Sequence, residues 1–322
     1  MSFAEPLSLF YAALAVSLPT FGWVVLGVVL ARLGLLPPAL NDRLSRFAFK
    51  IGLPVMLFCG AARVDYSALS SARYLLAGVL ATFLVLAVSW NYSRWRQHPR
   101  ALRGIFVQAA FRSNLAIVGV ALTYSAYGQR GPVLAALPIA LMTVLYNIIA
   151  VWVLHVTLGA STTAKDVVLG ILRNPLIIGI SAGVCLSVSG LPQPDTLALV
   201  GAALSKFFLP LVLVCIGAAM DVSRLYRAGA LTWEASVWRL CIAPLLGVSL
   251  ALALGVRDEA LGVLFLLIAS PVAASSHVMV VAARGDGTLA ANIVVLTTLL
   301  SLVTITLGFF ILSMLGLVGR LH

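Results

Sequence analysis

The most restrictive feature of this sequence is a succession of long apolar runs with little between them. Ten follow one another, at roughly 7–33, 38–63, 70–93, 101–127, 131–157, 167–189, 195–220, 229–254, 258–283 and 288–316. A helix crossing the hydrocarbon core of a bilayer needs about 20 such residues. A globule in water needs polar surface that this chain lacks: 62% is hydrophobic and 10% charged, where soluble domains run near 25% charged. Gly, Pro and charge mark the connections, as in Gly34 to Pro38, His98-Pro99-Arg100, Gly128 to Pro132 and Arg284-Gly285-Asp286-Gly287. No connection is long enough for a soluble domain. The first run has no basic stretch before it and is too long for a signal-peptide core, so it is read as a retained span. The expected fold class is an all-α polytopic membrane protein with ten transmembrane helices.

Charge then becomes a question of sides. The chain carries 21 Lys plus Arg against 10 Asp plus Glu, a net +11. In a soluble protein this excess would suggest nucleic acid, but in a membrane it first sets orientation. With the N-terminus outside, thirteen cations fall on the cytoplasmic side: Arg32, Arg43, Arg46, Arg94, Arg96, Arg100, Arg103, Lys165, Arg173, Arg224, Arg227, Arg239 and Arg284. Five fall outside: Arg63, Arg73, Arg130, Arg257 and Arg320. Both termini are therefore expected on the non-cytoplasmic face. Lys50, Arg112 and Lys206 are left inside spans, while the ten acids lie at span ends or in loops. Four cysteines, Cys59, Cys185, Cys215 and Cys241, sit in apolar runs without metal-like spacing and read as reduced core residues. No metal or cofactor is implied.

The chain also repeats itself. Lys50 to Asp65 matches Lys206 to Asp221 at seven of sixteen positions without a gap, an offset of 156 that also pairs Pro19, Gly27, Gly34, Leu35 and Pro38 with Pro175, Gly183, Gly190, Leu191 and Pro194. Each unit, 1–157 and 167–316, holds five spans. An odd number makes the second unit enter the membrane from the other side, so the repeats are inverted, an arrangement that serves alternating access around a mid-bilayer site.

The candidate site lies in spans 4 and 9. Pro271 sits at mid-span after Ser270, where a proline removes one helix hydrogen bond and clashes with the preceding turn. Ser275, Ser276 and His277 follow. In span 4, Arg112 lies about 16 Å along a helix from Ala101, with Ser113 and Asn114 beside it. A charge at that depth costs about 3 kcal/mol on the insertion scale, and no intramembrane acid is available to pair with it. Arg112, Ser113, Asn114, Ser270, Pro271, Ser275, Ser276 and Asn147 are therefore the candidate substrate contacts. Asn292 is a further candidate wall. Lys50, Lys206 and His277 are candidates for proton exchange during a transport cycle. The alternative for the lysines and His277 is a purely structural role, and for the serines ordinary small-residue packing.

The Leu-Pro of span 2, Phe111-Arg112-Ser113-Asn114 with Gly119, Asn174-Pro175, Pro210 with Gly217, and Ser270-Pro271, taken in order along the whole chain, resemble the auxin efflux carrier family. That family includes plant auxin carriers and bacterial permeases for malate and similar acids. The resemblance implies crossed broken helices 4 and 9, as in sodium/proton antiporters and bile-acid symporters. It also implies a scaffold of helices 1, 2, 6 and 7, a transport domain of helices 3–5 and 8–10, elevator-like motion, an organic-anion substrate and a bacterial plasma membrane. Where many relatives have a proline shortly after the span-4 glycine, this chain has Ala121, which leaves Gly119 as the expected seat of a milder break.

The expected function is secondary transport of a small carboxylate, proton-coupled or driven by the membrane potential. Sodium-coupled symport of the bile-acid type and a non-transporting membrane sensor are the alternatives. An enzyme is disfavoured, since adjacent helical residues such as Ser276 and His277 do not face each other. The expected partners are an organic acid and lipid, not nucleic acid. The small-residue pair Gly179-x-x-x-Gly183 offers a surface for a homodimer through the scaffold.

Overall fold

The computed structural model describes residues 4–63, 72–159, 169, 172, 173, 175–191, 194, 196–221 and 228–319. Every regular element among them is helical: α1 Ala4–Arg32, α2 Pro38–Ala62, α3 Ala72–Trp95, α4 Arg100–Phe111, α5 Leu115–Tyr127, α6 Arg130–Leu158, α7 Pro175–Val188, α8 Thr196–Ala218, α9 Ala230–Ala253, α10 Asp258–Ala269, α11 Ala274–Ala282 and α12 Gly287–Met314. The helices α2, α5 and α9 each contain a π-helical turn, at Ala48–Gly52, Leu115–Gly119 and Trp238–Ile242.

Seven segments are long and apolar enough to cross a bilayer: Ser8–Arg32, Pro38–Ala62, Arg73–Trp95, Arg130–Leu158, Thr196–Ala218, Ala230–Ala253 and Gly287–Met314. The other three expected spans hold shorter pieces. The stretch 101–127 divides into α4 and α5, 258–283 divides into α10 and α11, and 167–189 contains the 14-residue α7. Asn174, quoted for the start of span 6, lies outside the described residues, as do the cations Lys165, Arg224, Arg227 and Arg320.

Local chemistry fixes the helix ends. Pro38 opens α2 at a position where a missing N–H costs nothing. Asp286 caps α12 by accepting from the Leu289 N–H at 2.9 Å. Gly34 and Gly190, 156 residues apart, both adopt left-handed φ values of 73° and 68° just past helix ends, a conformation open to glycine without a side-chain clash.

Two helix pairs pack backbone against backbone. A Cβ on Gly27 of α1 would lie 2.0 Å from the Val214 carbonyl oxygen of α8, and one on Gly217 of α8 would lie 1.9 Å from the Val24 carbonyl oxygen of α1. The contact recurs 156 residues on: a Cβ on Gly183 of α7 would lie 2.5 Å from the Phe58 carbonyl oxygen of α2. Gly179 similarly faces Pro54. The Gly179-x-x-x-Gly183 pair thus takes part in a seam within the chain.

Arg239 corrects the sequence reading. It is not a loop cation but the largest fully buried side chain of the described residues, 1% exposed, in the π turn of α9. Of the four cysteines, Cys59 and Cys215 are buried, while Cys185 and Cys241 are exposed on their helices, where an apolar run faces outward as well as inward.

Gly27→Ala and Gly217→Ala should each destabilise the protein by about 1–3 kcal/mol through overpacking, read as a lower melting temperature in detergent. Gly22→Ala, with nothing within 4 Å of its new Cβ, should not. Equal melting temperatures for all three variants would contradict the seam.

Candidate functional site

Two interruptions meet in the interior. Ser270 leaves the helical region with ψ 146°, as expected of a residue that precedes proline. Arg112 and Asn114 leave it with ψ 88° and 66°, seven and five residues before Gly119. The sequence expectation of a break resting on Gly119 is therefore corrected: the backbone departs at Arg112 to Asn114. Gly119 closes the following π turn by donating its N–H to the Asn114 carbonyl at 3.0 Å. A Cβ on Gly119 would also lie 2.8 Å from Leu267 Cδ2, so the glycine lets α5 approach α10.

The two segments satisfy each other. Asn114 N donates to the Pro271 carbonyl at 2.8 Å, and Ala273 N donates to the Arg112 carbonyl at 3.2 Å. Ser113 and Val272 thereby form an isolated antiparallel bridge. Side chains take up the remaining freed groups. Arg239 Nη1 donates to the Ala110 carbonyl at 2.8 Å, a cation at the negative end of α4. Thr297 Oγ1 of α12 accepts from Val272 N at 3.2 Å, and Ser270 Oγ donates to the Leu266 carbonyl at 2.7 Å. Ser113 Oγ lies 3.2 Å from Tyr146 Oη.

Arg112 is 7% exposed. Its Nη2 donates to Asn147 Oδ1 at 2.8 Å and to Ser275 Oγ at 3.2 Å, while Nε and Nη1 are buried without an acceptor among the described residues. A cavity of about 490 Å³ adjoins it, walled by Arg112, Ser113, Asn114, Asn147 and Ser275 together with Thr143 and Tyr146. Leu176 of α7 and Ile216 of α8 also line it, and among the described residues no carboxylate does.

The structure thus brings Arg112, Ser113, Asn114, Asn147 and Ser275 together. Ser270 and Pro271 lie behind that wall and shape the backbone. Ser276 is buried, with its hydroxyl unpartnered among the described residues. His277 packs near Gly287, where a Cβ would lie 3.4 Å from its Cε1. Asn292 is buried on α12, with Oδ1 likewise unpartnered. Lys50 is exposed on the π turn of α2, beside the exposed Phe47 and Ile51, away from this cavity. Lys206 lines a separate cavity. Sequence reasoning missed Tyr146, Thr297 and Arg239. For Arg239 the signal was present: it lies ten residues inside the predicted 229–254 span.

Packed apolar helices around a buried polar crossing define a multi-pass membrane protein of the transport class. The chain belongs to the family described as membrane transport protein, of auxin efflux carrier type, which matches residues 13–309. A relative in Rhizobium meliloti (strain 1021), named "Putative malonate transporter", is 26% identical over 307 residues, covering 90% of this chain and 92% of that protein. An "Uncharacterized transporter" of Methanothermobacter thermautotrophicus (strain ATCC 29096 / DSM 1053 / JCM 10044 / NBRC 100330 / Delta H) is 25% identical over 295 residues, covering 90% and 95%.

Thr297→Val should orphan the buried Val272 N–H and destabilise the protein by about 1–3 kcal/mol. Thr298→Val, whose hydroxyl bonds the Val294 carbonyl of its own helix, should cost less. Thermal unfolding of both variants checks the order.

Proposed function

We propose that this chain is a secondary carrier of small dicarboxylates such as malonate, bound at the crossing by Arg112. One observation carries the reading. Among the described residues, Arg112 holds two buried donors without acceptors in the wall of a cavity that no carboxylate lines. A buried, unpaired guanidinium is costly unless an anion completes it, and hydrogen bonds between it and a carboxylate are charge-assisted. Asn147 and Ser275 hold one edge of the guanidinium, which leaves the rest for cargo. The name of the Rhizobium relative supports malonate.

The working motion is elevator-like alternating access between two inverted five-helix repeats, 1–157 and 167–316. The helices α1, α2, α7 and α8 form the scaffold, and α3–α6 with α9–α12 form the moving domain. The cavity wall supports this division, since Leu176 and Ile216 come from the first group and the polar side chains from the second. The protein sits in a bacterial plasma membrane with both termini outside. Coupling is to protons or to the membrane potential.

Sodium-coupled symport is the second reading. The unpartnered buried oxygens of Ser276 and Asn292 favour it, because sodium sites are built from oxygen ligands.

Arg112→Ala should weaken malonate binding to purified protein by about 100-fold, the loss expected on deleting one side of a buried charged contact. Wild-type affinity in that variant would refute the site. Malonate counterflow in proteoliposomes should be equal in sodium and potassium buffers. A strict sodium requirement would select the second reading.

A further inference from the structure

A second cavity, of about 230 Å³, lies between α1, α5 and α8, with Lys206, Ser205, Thr20, Tyr124 and Ser125 in its wall and, among the described residues, no acidic one. Lys206 is exposed, has no ion pair among the described residues and stands near the middle of the 23-residue α8. That is about 15 Å along the helix from Thr196, too deep for easy snorkelling to a headgroup.

The two cavities share two walls. The Arg112 cavity is lined by Leu115 to Ile117 of α5 and by Ile216 of α8, and the Lys206 cavity by Ala121 of α5 and Leu213 of α8. Along both helices the separation is about one turn, roughly 5 Å. The residues between them, Val118 to Val120 and Val214 to Cys215, carry no charged or hydrogen-bonding side chain of the hydroxyl, amide or acid kind. The cavities also use equivalent positions of the internal repeat. Thr20 of the Lys206 cavity stands 156 residues before Leu176 of the Arg112 cavity, and Ala121 stands 157 before Val278, another wall residue of that cavity.

We propose that the Lys206 cavity is a second anion site, the vestibule that receives the carboxylate on the far side of the apolar seam, with Lys206 as its binding group. This rests on the reading of the chain as a carboxylate carrier. A flexible ammonium is suited to the role: it attracts an anion as a point charge without the fixed fork of a guanidinium, and so can release it again.

The test has two arms. In proteoliposomes, Lys206→Gln should slow malonate counterflow by about tenfold or more, and Lys206→Arg, which keeps the charge but adds the fork, should restore only part of it. Wild-type counterflow in Lys206→Gln would overturn the proposal. The second arm needs no transport. With Ser125→Cys in a background whose exposed Cys185 and Cys241 are replaced by alanine, a negatively charged methanethiosulfonate should react faster than a positively charged one. Lys206→Gln should lower that rate ratio by about fivefold or more. A ratio indifferent to Lys206, as for a lysine turned into lipid, would overturn it too. If Arg112→Ala binds malonate normally, the Arg112 reading falls, while the reagent ratio still judges Lys206.

Discussion

Two backbone hydrogen bonds, Asn114 to Pro271 and Ala273 to Arg112, hold the interior of this protein together. Within a bilayer, non-helical backbone is tolerated only where protein or a water-lined cavity satisfies it. A single break would leave donors and acceptors orphaned at several kcal/mol each. Two breaks that face each other resolve the problem mutually. They also turn half-helix ends toward one point, where Arg112, Asn147 and Ser275 converge. The polar site and the solution to the backbone problem are one construction.

Completing that construction takes more than the two segments. Arg239 reaches from α9 to the last turn of α4, Thr297 reaches from α12 to Val272, and Tyr146 from α6 meets Ser113. Three helices distant in sequence are thus tied to the crossing. Arg239 has no acid beside it, and its Nε and Nη2 lack acceptors among the described residues. Its charge answers the carbonyl end of a truncated helix, not a carboxylate. The interior therefore holds two guanidiniums in different roles, one bound to backbone and one left open toward a cavity.

Much of this was legible in the sequence, for identifiable reasons. Apolar run length located the helices. Pro271 announced its break, because proline acts on its own local backbone. Arg112 stood out because charge at mid-span has few innocent explanations. The break at Arg112 to Asn114 carries no comparable local signal, since the opposing segment stabilises it, and a pairing between residues about 160 apart cannot be read from either stretch alone. Arg239 was misplaced by charge counting, which assigns a cation to the nearest loop and ignores which way a helix face turns. Lys50 and Lys206 are equivalent in the repeat and both exposed, yet only Lys206 also borders a cavity. An internal repeat transmits position, not environment. The glycine pair of α7 meets α2 of the same chain, and spacing alone does not say which neighbour a small residue admits.

The glycine seams have a mechanical consequence. Where Gly27 meets the Val214 carbonyl and Gly217 meets Val24, the contact involves no side-chain rotamers, so nothing there can yield by rearranging. Sliding α1 along α8 by one turn would drive Trp23 or Ala31 into a carbonyl oxygen. A turn's slip of α7 would bring Ser187 to where Gly183 meets Phe58. These helix pairs behave as keyed shafts with a single permitted register, and any sliding in the molecule must occur along surfaces other than theirs.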